Sequence, residues 1–146
     1  WHKVMNLNVN APFFLAREVG KRSMIPRQRG KIINVASIAG LKGSLGAMQA
    51  IAYNTSKAAA INFTRALAAE WGKYNINVNA ICPGFFPSKM SAGLLDKVGQ
   101  IVIDHTPLHR LGDDDDLKGA VVFFASQTAR HVTGQYLAVD GGSSIV

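Results

Sequence analysis

The sequence has little of what would place it in a membrane, a disulfide-rich scaffold or a disordered segment. A single cysteine, Cys82, excludes a disulfide within the chain and favours a cytoplasmic location. No apolar run approaches the roughly 18 residues of a membrane span, so no membrane partner is predicted. Charged residues make up only 17% of the chain and low-complexity tracts are missing, which argues against disorder. The 146 residues, 48% of them hydrophobic, suffice for one folded core.

Positive charge is in excess, with a net charge of +7, and it is concentrated near the start of the chain. Residues 1–31 carry seven Lys and Arg side chains against one acidic residue, Glu18. Such a cluster has two interpretations: an anionic partner, or a solvated helix face, which we favour. Aromatic residues are not interleaved with the basic ones and no nucleic-acid motif is present, so no nucleic-acid partner is predicted.

A metal site is also not predicted. His105 and His109 stand four residues apart, but Pro107 between them argues against the regular helix that would pair them. The run Asp113–Asp116 has a simpler explanation, because carboxylates are favoured at the N-terminus of a helix. We therefore predict that these four aspartates open a helix that reaches Gln127.

Hydrophobic periodicity predicts that helices and short apolar strands alternate. The strands are KIINVAS (31–37), INVNAIC (76–82) and QYLAVDGG (135–142). The helices cover residues 4–24, with Pro12 inside, 52–74, 92–103 and 113–127. This alternation is typical of an α/β fold with a parallel sheet, and it resembles the second half of a doubly wound sheet.

Tyr53 and Lys57 are the first candidates for chemistry. Their spacing of four places both side chains on one face of the predicted helix. A free tyrosine, with a pKa of about 10, exchanges protons poorly at neutral pH. A nearby ammonium favours the phenolate, so that the tyrosine can act as a general acid or base. The pair alone is a weak signal, since a Tyr-x-x-x-Lys spacing occurs by chance in many chains.

Ser37 and Asn8 strengthen this interpretation. Ser37 ends a predicted parallel strand, at the edge where open α/β sheets bind ligands, and its hydroxyl can donate to a carbonyl oxygen. Asn8 lies four residues before Pro12, which has no N–H to bond to the Asn8 carbonyl. That carbonyl must find water or a side chain beside a helix kink.

Four segments in this order, INVASIAG, YNTSKAA, NINVNAICPGF and VDGG, together resemble the short-chain dehydrogenase/reductase family. The resemblance covers essentially the whole chain. It implies the C-terminal half of a Rossmann-like doubly wound parallel sheet, and an NAD(P)-dependent oxidoreductase that interconverts a secondary alcohol and a ketone. The catalytic tetrad of the family matches Asn8, Ser37, Tyr53 and Lys57.

The resemblance also implies a role for each matched residue. Tyr53 exchanges the proton with the substrate oxygen, and Lys57 favours its ionised form and holds the nicotinamide ribose. Ser37 orients the substrate oxygen, and Asn8 holds a water that links Lys57 to bulk solvent. Tyr53 and Lys57 also belong to the cofactor-binding positions that the family pattern implies. The others are Pro83 and Gly84 beside the nicotinamide, and the backbone of Phe86. Ser88 is the last of them, at a position where the family often has threonine.

The Gly-rich phosphate loop and the Asn-Asn-Ala-Gly strand end of the family are missing from this sequence. Both precede the tetrad in the family, so residues 1–146 are expected to be the catalytic C-terminal portion of one domain. At roughly 30 residues per βα unit, about 100 residues of the N-terminal cofactor-binding portion are absent. We expect the isolated chain to be inactive. The choice between NAD and NADP stays open, because that portion carries the deciding residue.

The substrate is less well defined than the reaction. The longest matching string, from Tyr53 to Met90, looks most like gluconate 5-dehydrogenases and 3-oxoacyl-carrier-protein reductases. We favour a sugar-acid or polyol substrate, with the carrier-protein reductase as the alternative, and a non-catalytic binding module as the alternative of another class. The segment GSLGAMQAI (43–51) is expected to form a flexible apolar lip of the substrate pocket. A homo-oligomer, dimer or tetramer, is the assembly that the resemblance implies.

Overall fold

The computed structural model describes residues 1–44, 48–89 and 91–146. Helices and strands alternate in it as the sequence predicts, which confirms the α/β class. The helices are α1 (His2–Met5), α2 (Ala11–Val19), α3 (Ile51–Trp71), α4 (Ala92–Asp104) and α5 (Lys118–Ala125). The strands are β1 (Gly30–Val35), β2 (Ile76–Pro83) and β3 (Tyr136–Val139).

The three strands form one parallel sheet in the order β1-β2-β3. In the β1–β2 pair, Val35 lies opposite Ile81, and in the β2–β3 pair, Pro83 lies opposite Val139. Because all strands run in one direction, their carboxyl ends meet at the same edge of the sheet. Open α/β sheets bind their ligands at this edge.

Helices cover both faces of the sheet, as in a doubly wound fold. On one face, Val78, Ala80 and Cys82 of β2 lie in two apolar clusters that include the buried side of α3. On the other face, Ile81 of β2 packs with Phe124 of α5. The two sets alternate along β2, because successive side chains of a strand point to opposite faces. Burial on both faces favours apolar residues along the strand, and its two asparagines, Asn77 and Asn79, both donate to the Val132 carbonyl.

The first predicted helix contains two wider turns. π-Helical turns at Asn6–Asn10 and Gly20–Met24 follow α1 and α2, and the backbone N–H of Ala11 bonds to the Asn6 carbonyl. Pro12 follows this π turn directly as the second residue of α2, where the helical bonding pattern already changes. The helix therefore widens around Asn8, where we expected a kink. Such π turns are frequent at functional sites.

The prediction that Asp113–Asp116 open a helix is wrong. Helix α5 begins at Lys118 and ends at Ala125, and its N-cap residue, Leu117, makes no side-chain cap. The aspartates bond instead within their own turn, where carboxylates of Asp113 and Asp116 accept the backbone N–H groups of Asp115 and Asp113. Short polar side chains that satisfy nearby backbone groups favour a turn over a helix.

The described part of the chain contains no helix long and apolar enough to cross a membrane. The same residues contain no group of three or more His, Cys, Asp or Glu side chains that could hold a metal ion. The sequence-based expectations about membranes and metals concern the whole chain and stay predictions.

Candidate active site

Ser37 lies directly beyond the carboxyl end of β1. The strand continues to pair through Ala36, whose backbone N–H donates to the Ile81 carbonyl at 2.8 Å. Ser37 itself is extended and only 9% exposed, and its Oγ accepts a hydrogen bond from the Ala39 N–H at 3.1 Å. This cap starts the short 3₁₀ turn Ile38–Gly40. The hydroxyl acts here as an acceptor, so its proton can serve a substrate oxygen.

Gly40 fixes how this turn packs against α3. A Cβ at Gly40 would lie 2.6 to 2.7 Å from backbone atoms of Lys57 and Ala58. Only glycine permits so close an approach of the two backbones. The turn that carries Ser37 is thereby held against the turn of α3 that carries Lys57.

Tyr53 and Lys57 occupy successive turns of α3, as their spacing predicts. The Lys57 Nζ lies 5.6 Å from the centre of the Tyr53 ring. A cation at this distance interacts favourably with the aromatic ring. The helix thus delivers a phenol and an ammonium to one side of the sheet.

The Lys57 ammonium reaches the outer edge of β1, where its Nζ donates to the Val35 carbonyl at 2.9 Å. The Val35 carbonyl and the Ala36 N–H belong to one peptide group and point in opposite directions. Because the Ala36 N–H faces β2, the Val35 carbonyl points away from β2. Burial lowers the pKa of Lys57, and the nearby Cys82 sulfur opposes that shift. Lys57 is therefore a half-buried cation close to Ser37.

Cys82 lies beneath these groups and is fully buried in the sheet. Burial raises the pKa of its thiol to about 11, although a hydrogen bond from the Ser37 backbone and the charge of Lys57 oppose the shift. The thiol is therefore protonated at neutral pH and is a poor nucleophile. It forms the apolar base of the site.

Asn8 comes to the same helix from the other end of the chain. Its side-chain Nδ2 donates to the Ser56 Oγ at 3.0 Å, and the Ser56 hydroxyl donates to the Tyr53 carbonyl at 2.7 Å. Ser56 is fully buried. The structure therefore brings Asn8 to the turn of α3 between Tyr53 and Lys57.

Pro83 and Gly84 end β2 beside the turn that follows β3. The Gly84 N–H donates to the Val139 carbonyl at 3.0 Å, and a Cβ at Gly84 would lie 2.7 Å from the Asp140 Cβ. A side chain at Gly84 would force the two strand ends apart. These residues hold the carboxyl ends of β2 and β3 together.

Phe86 and Ser88 are placed differently, on the loop between β2 and α4. The Phe86 carbonyl accepts the Ser91 hydroxyl at 2.6 Å, and the Ser88 Oγ accepts the Ser91 N–H at 3.1 Å. In this structure both groups stabilise the loop itself. The ring of Phe86 also lines a cavity of about 460 Å³ between this loop and the Gly141–Gly142 turn, whose lining includes none of Ser37, Tyr53 and Lys57.

Comparison with known proteins agrees with this geometry. Residues 1–144 match the family model described as Enoyl-(Acyl carrier protein) reductase. The chain belongs to the short-chain dehydrogenase/reductase family. Among relatives, the 2-dehydro-3-deoxy-D-gluconate 5-dehydrogenase of Dickeya dadantii is 40% identical over 145 residues, which are 97% of this chain and 56% of that protein. A 3-oxoacyl-[acyl-carrier-protein] reductase of Aquifex aeolicus is 34% identical over 142 residues, which are 97% of this chain and 56% of that protein.

A solved short-chain dehydrogenase/reductase structure has the same fold throughout. The gluconate 5-dehydrogenase from Burkholderia cenocepacia, crystallised with NADP and tartrate, superposes with a TM-score of 0.92 at 33% identity. The alignment covers 100% of this chain and 56% of that one. The chain thus spans about half the length of the relatives it matches.

The donor groups fit the nicotinamide end of the cofactor that such enzymes carry. An ammonium has three N–H donors, and Lys57 gives one of them to Val35, which leaves donors for ribose hydroxyls. Tyr53 and Ser37 add hydroxyl groups at the same carboxyl edge. The fit concerns only this end of the cofactor, because its adenine end belongs to the half of the family fold that this chain does not span.

Sequence reasoning missed the positions of Ser56 and Gly40, although both stand in the family segments. Ser56 directly precedes Lys57, and its polarity on a buried face of an otherwise Ala-rich helix was the available signal. The predicted apolar lip, 43–51, includes residues 45–47, which lie outside the described residues.

Proposed function

We propose that this chain is the catalytic C-terminal portion of an NAD(P)-dependent oxidoreductase that interconverts a secondary alcohol and a ketone. The observation that carries this proposal is the Lys57 ammonium, which lies 5.6 Å from the centre of the Tyr53 ring and donates to the carbonyl of Val35, two residues before Ser37. A purely structural Tyr–Lys pair on a helix surface would not need a half-buried cation at the ligand-binding edge of a parallel sheet.

In this proposal Tyr53 and Lys57 would hold the nicotinamide end of the cofactor, which would supply hydride transfer between the alcohol carbon and the ketone carbon. Tyr53 Oη takes the hydroxyl proton during oxidation and returns it during reduction. Ser37 donates a hydrogen bond to the same substrate oxygen, and the charge of Lys57 stabilises negative charge on the Tyr53 oxygen. Lys57 would also hold the ribose, and Asn8 would connect Lys57 to solvent.

The test is Tyr53→Phe in the full-length protein, which removes only the phenol hydroxyl. We expect kcat to fall by roughly 10²-fold or more, the scale for loss of a general acid. Tyr74→Phe is the matched control, because Tyr74 also has an ammonium beside its ring, that of Lys73 at 5.1 Å. A non-catalytic binding module would show no turnover to lose, and equal activity of the two variants would refute the role of Tyr53.

For the substrate we propose a sugar acid or polyol, on the similarity to gluconate-type dehydrogenases. For the alternative, a 3-oxoacyl-carrier-protein reductase, the basic residues Arg27, Arg29 and Lys31 would suit an acidic carrier protein. Arg27 and Arg29 are exposed, while Arg27 Nε bonds to the Ser23 carbonyl and Lys31 Nζ to the Ala129 carbonyl, so this cluster does not decide between the two substrates. Gluconate and an acetoacetyl thioester offered to the full-length protein decide this, and preference for the thioester by orders of magnitude would reject the sugar acid.

The same proposal includes an N-terminal cofactor-binding portion that adds strands to β1. Among the described residues β1 pairs only with β2, and Val35 on its outer edge is 60% exposed. An open edge of a parallel sheet is a ready template for another strand. The choice between NAD and NADP rests with that portion.

We expect the isolated 146-residue chain to show no turnover with either cofactor. Adding the N-terminal half of a relative, expressed as a separate chain, should protect the outer N–H groups of β1 from hydrogen exchange. Robust activity of the isolated chain would overturn this part of the proposal. We further propose that the full-length protein is a homo-oligomer in the cytoplasm; sedimentation tests the oligomeric state, and cell fractionation tests the location.

A further inference from the structure

Two helices of the chain are joined near the site by one fully buried hydroxyl, that of Ser56. It accepts from the Asn8 amide at 3.0 Å and donates to the Tyr53 carbonyl at 2.7 Å. Asn8 and Ser56 stand 48 residues apart, and the bond joins the π turn Asn6–Asn10 to the beginning of α3. A hydroxyl has a single proton, so its bond to the Tyr53 carbonyl leaves the lone pairs for Asn8.

We propose that Ser56 is a positioning residue for the reaction, acting through Asn8 and Tyr53. Ser56 sets the π turn against α3, so that Asn8 stays beside the turn between Tyr53 and Lys57. This role rests on the proposed function, because it matters only if Tyr53 exchanges a proton. Small errors in the placement of an acid–base group lower the rate strongly, since the reacting atoms must stay aligned.

A second buried hydroxyl on α3, that of Thr64, makes the same kind of link but lies away from Tyr53. Thr64, on the same helix, is equally buried, and its hydroxyl accepts from the Asn34 amide at 2.9 Å and donates to the Ala60 carbonyl at 2.9 Å. Thr64 lies about two turns beyond Lys57. Both hydroxyls therefore do the same structural work, and only that of Ser56 touches the turn with Tyr53.

The first experiment uses the full-length protein and needs no activity. In ¹H–¹⁵N spectra, Ser56→Ala should shift the side-chain amide of Asn8 and leave that of Asn34 in place. Thr64→Val should do the reverse. If the Asn8 side-chain amide signal keeps its position in Ser56→Ala, the hydrogen bond between Asn8 and Ser56 does not exist in solution, and the proposal is overturned.

The second experiment measures turnover by the full-length protein. Ser56→Ala should lower kcat by about tenfold with KM within about twofold, because alignment is lost and binding is kept. Ser56→Ala and Thr64→Val should lower the unfolding temperature by similar amounts, but Thr64→Val should keep the kcat of the wild type. Ser56→Cys, with a weaker donor of similar size, should lower kcat in the same direction and covers the case that Ser56→Ala does not fold.

The Tyr53→Phe variant distinguishes failure of the proposed function from failure of the positioning role of Ser56. If Tyr53→Phe keeps its turnover, the proposed function is wrong. If Tyr53→Phe is inactive but Ser56→Ala behaves like Thr64→Val, the proposed function stands and the positioning role of Ser56 is refuted.

Discussion

Two walls stand at the carboxyl ends of the strands, and they are built in different ways. The packed wall consists of the turn Ser37–Gly40 and the first turns of α3, residues 51–60. The loop wall consists of residues 85–89 and 91–117. The packed wall is fixed by backbone contact and by buried groups such as Ser56 and Cys82. The loop wall also has buried residues, Val102 and Thr106, but its segment after α4 carries surface ion pairs of Arg110 with Asp113 and Asp116.

The difference separates two tasks that one site must combine. In the proposed function, groups that exchange protons must keep their geometry to a fraction of an ångström, and the close backbone contacts of the packed wall suit this task. A loop with surface ion pairs tolerates substitution, because such pairs contribute little to stability. We therefore expect changes in chemistry from the packed wall, and changes in substrate choice from the loop wall.

The largest effect should come from placing the same methyl group in each wall. In Gly40→Ala the new Cβ meets the backbone of Lys57 at 2.6 Å, whereas in Gly112→Ala it meets the Phe86 ring at 2.3 Å. Backbone cannot rotate away but a ring can, so Gly40→Ala should cost about 1–3 kcal/mol of unfolding free energy and Gly112→Ala less. Urea unfolding measures both.

Gly43→Ala is the control for this comparison, because a Cβ there meets no atom of the described residues within 4 Å. Its unfolding free energy should stay close to that of the wild type. Equal losses in Gly40→Ala and Gly112→Ala would mean that the packed wall is no stiffer than the loop wall.

A smaller effect is expected from alkaline pH at the base of the packed wall. Folding raises the pKa of Cys82 from 9.0 to about 11, so the folded chain keeps the thiol proton to a higher pH than the unfolded chain. The contribution is complete below pH 9 and is lost as the pH rises through about 11. Unfolding free energy of the wild type should therefore fall relative to Cys82→Ala over this range.

The difference between the two curves isolates the thiol. The lowered pKa of Lys57 acts in the opposite direction, but Lys57 is present in both proteins and largely cancels. Parallel curves for the wild type and Cys82→Ala would show that the thiol is hydrated when the chain is folded.

The smallest effect belongs to the loop wall. The Arg110 guanidinium, with both nitrogens on the carboxylate at 2.6 and 2.7 Å, lowers the pKa of Asp116 from 3.8 to about 2. The stabilisation is present above pH 3.8 and is lost as the pH falls through about 2. Asp116→Asn should lower the unfolding temperature slightly at neutral pH, and 1 M salt should reduce the difference.

Asp114→Asn serves as the comparison for this pair, since it removes one carboxylate from the same acidic run. We expect a smaller change than in Asp116→Asn. If the two substitutions act alike, net charge and not the Arg110 pair accounts for the effect.

Patterns with a strong period could be predicted from the sequence. The strands were found within a few residues, because apolar runs bounded by turns mark buried parallel strands. The four-residue spacing of Tyr53 and Lys57 placed both on one helix face, since a helix repeats every 3.6 residues. The prediction at Asp113–Asp116 was wrong, because carboxylates can bond to the backbone of their own turn. The π turn at Asn6–Asn10, where we expected a kink, was not predicted from the sequence.

The sequence by itself determined the alternation of helices and strands, the parallel sheet and the residues that resemble the catalytic tetrad. These properties follow from local periodicity and from motifs a few residues long. Only the tertiary structure decided that Gly40 packs on the backbone of Lys57, that Ser56 joins Asn8 to Tyr53, and that Lys57 reaches the open edge of β1. These contacts join residues far apart in the chain, and packing of whole elements sets such distances.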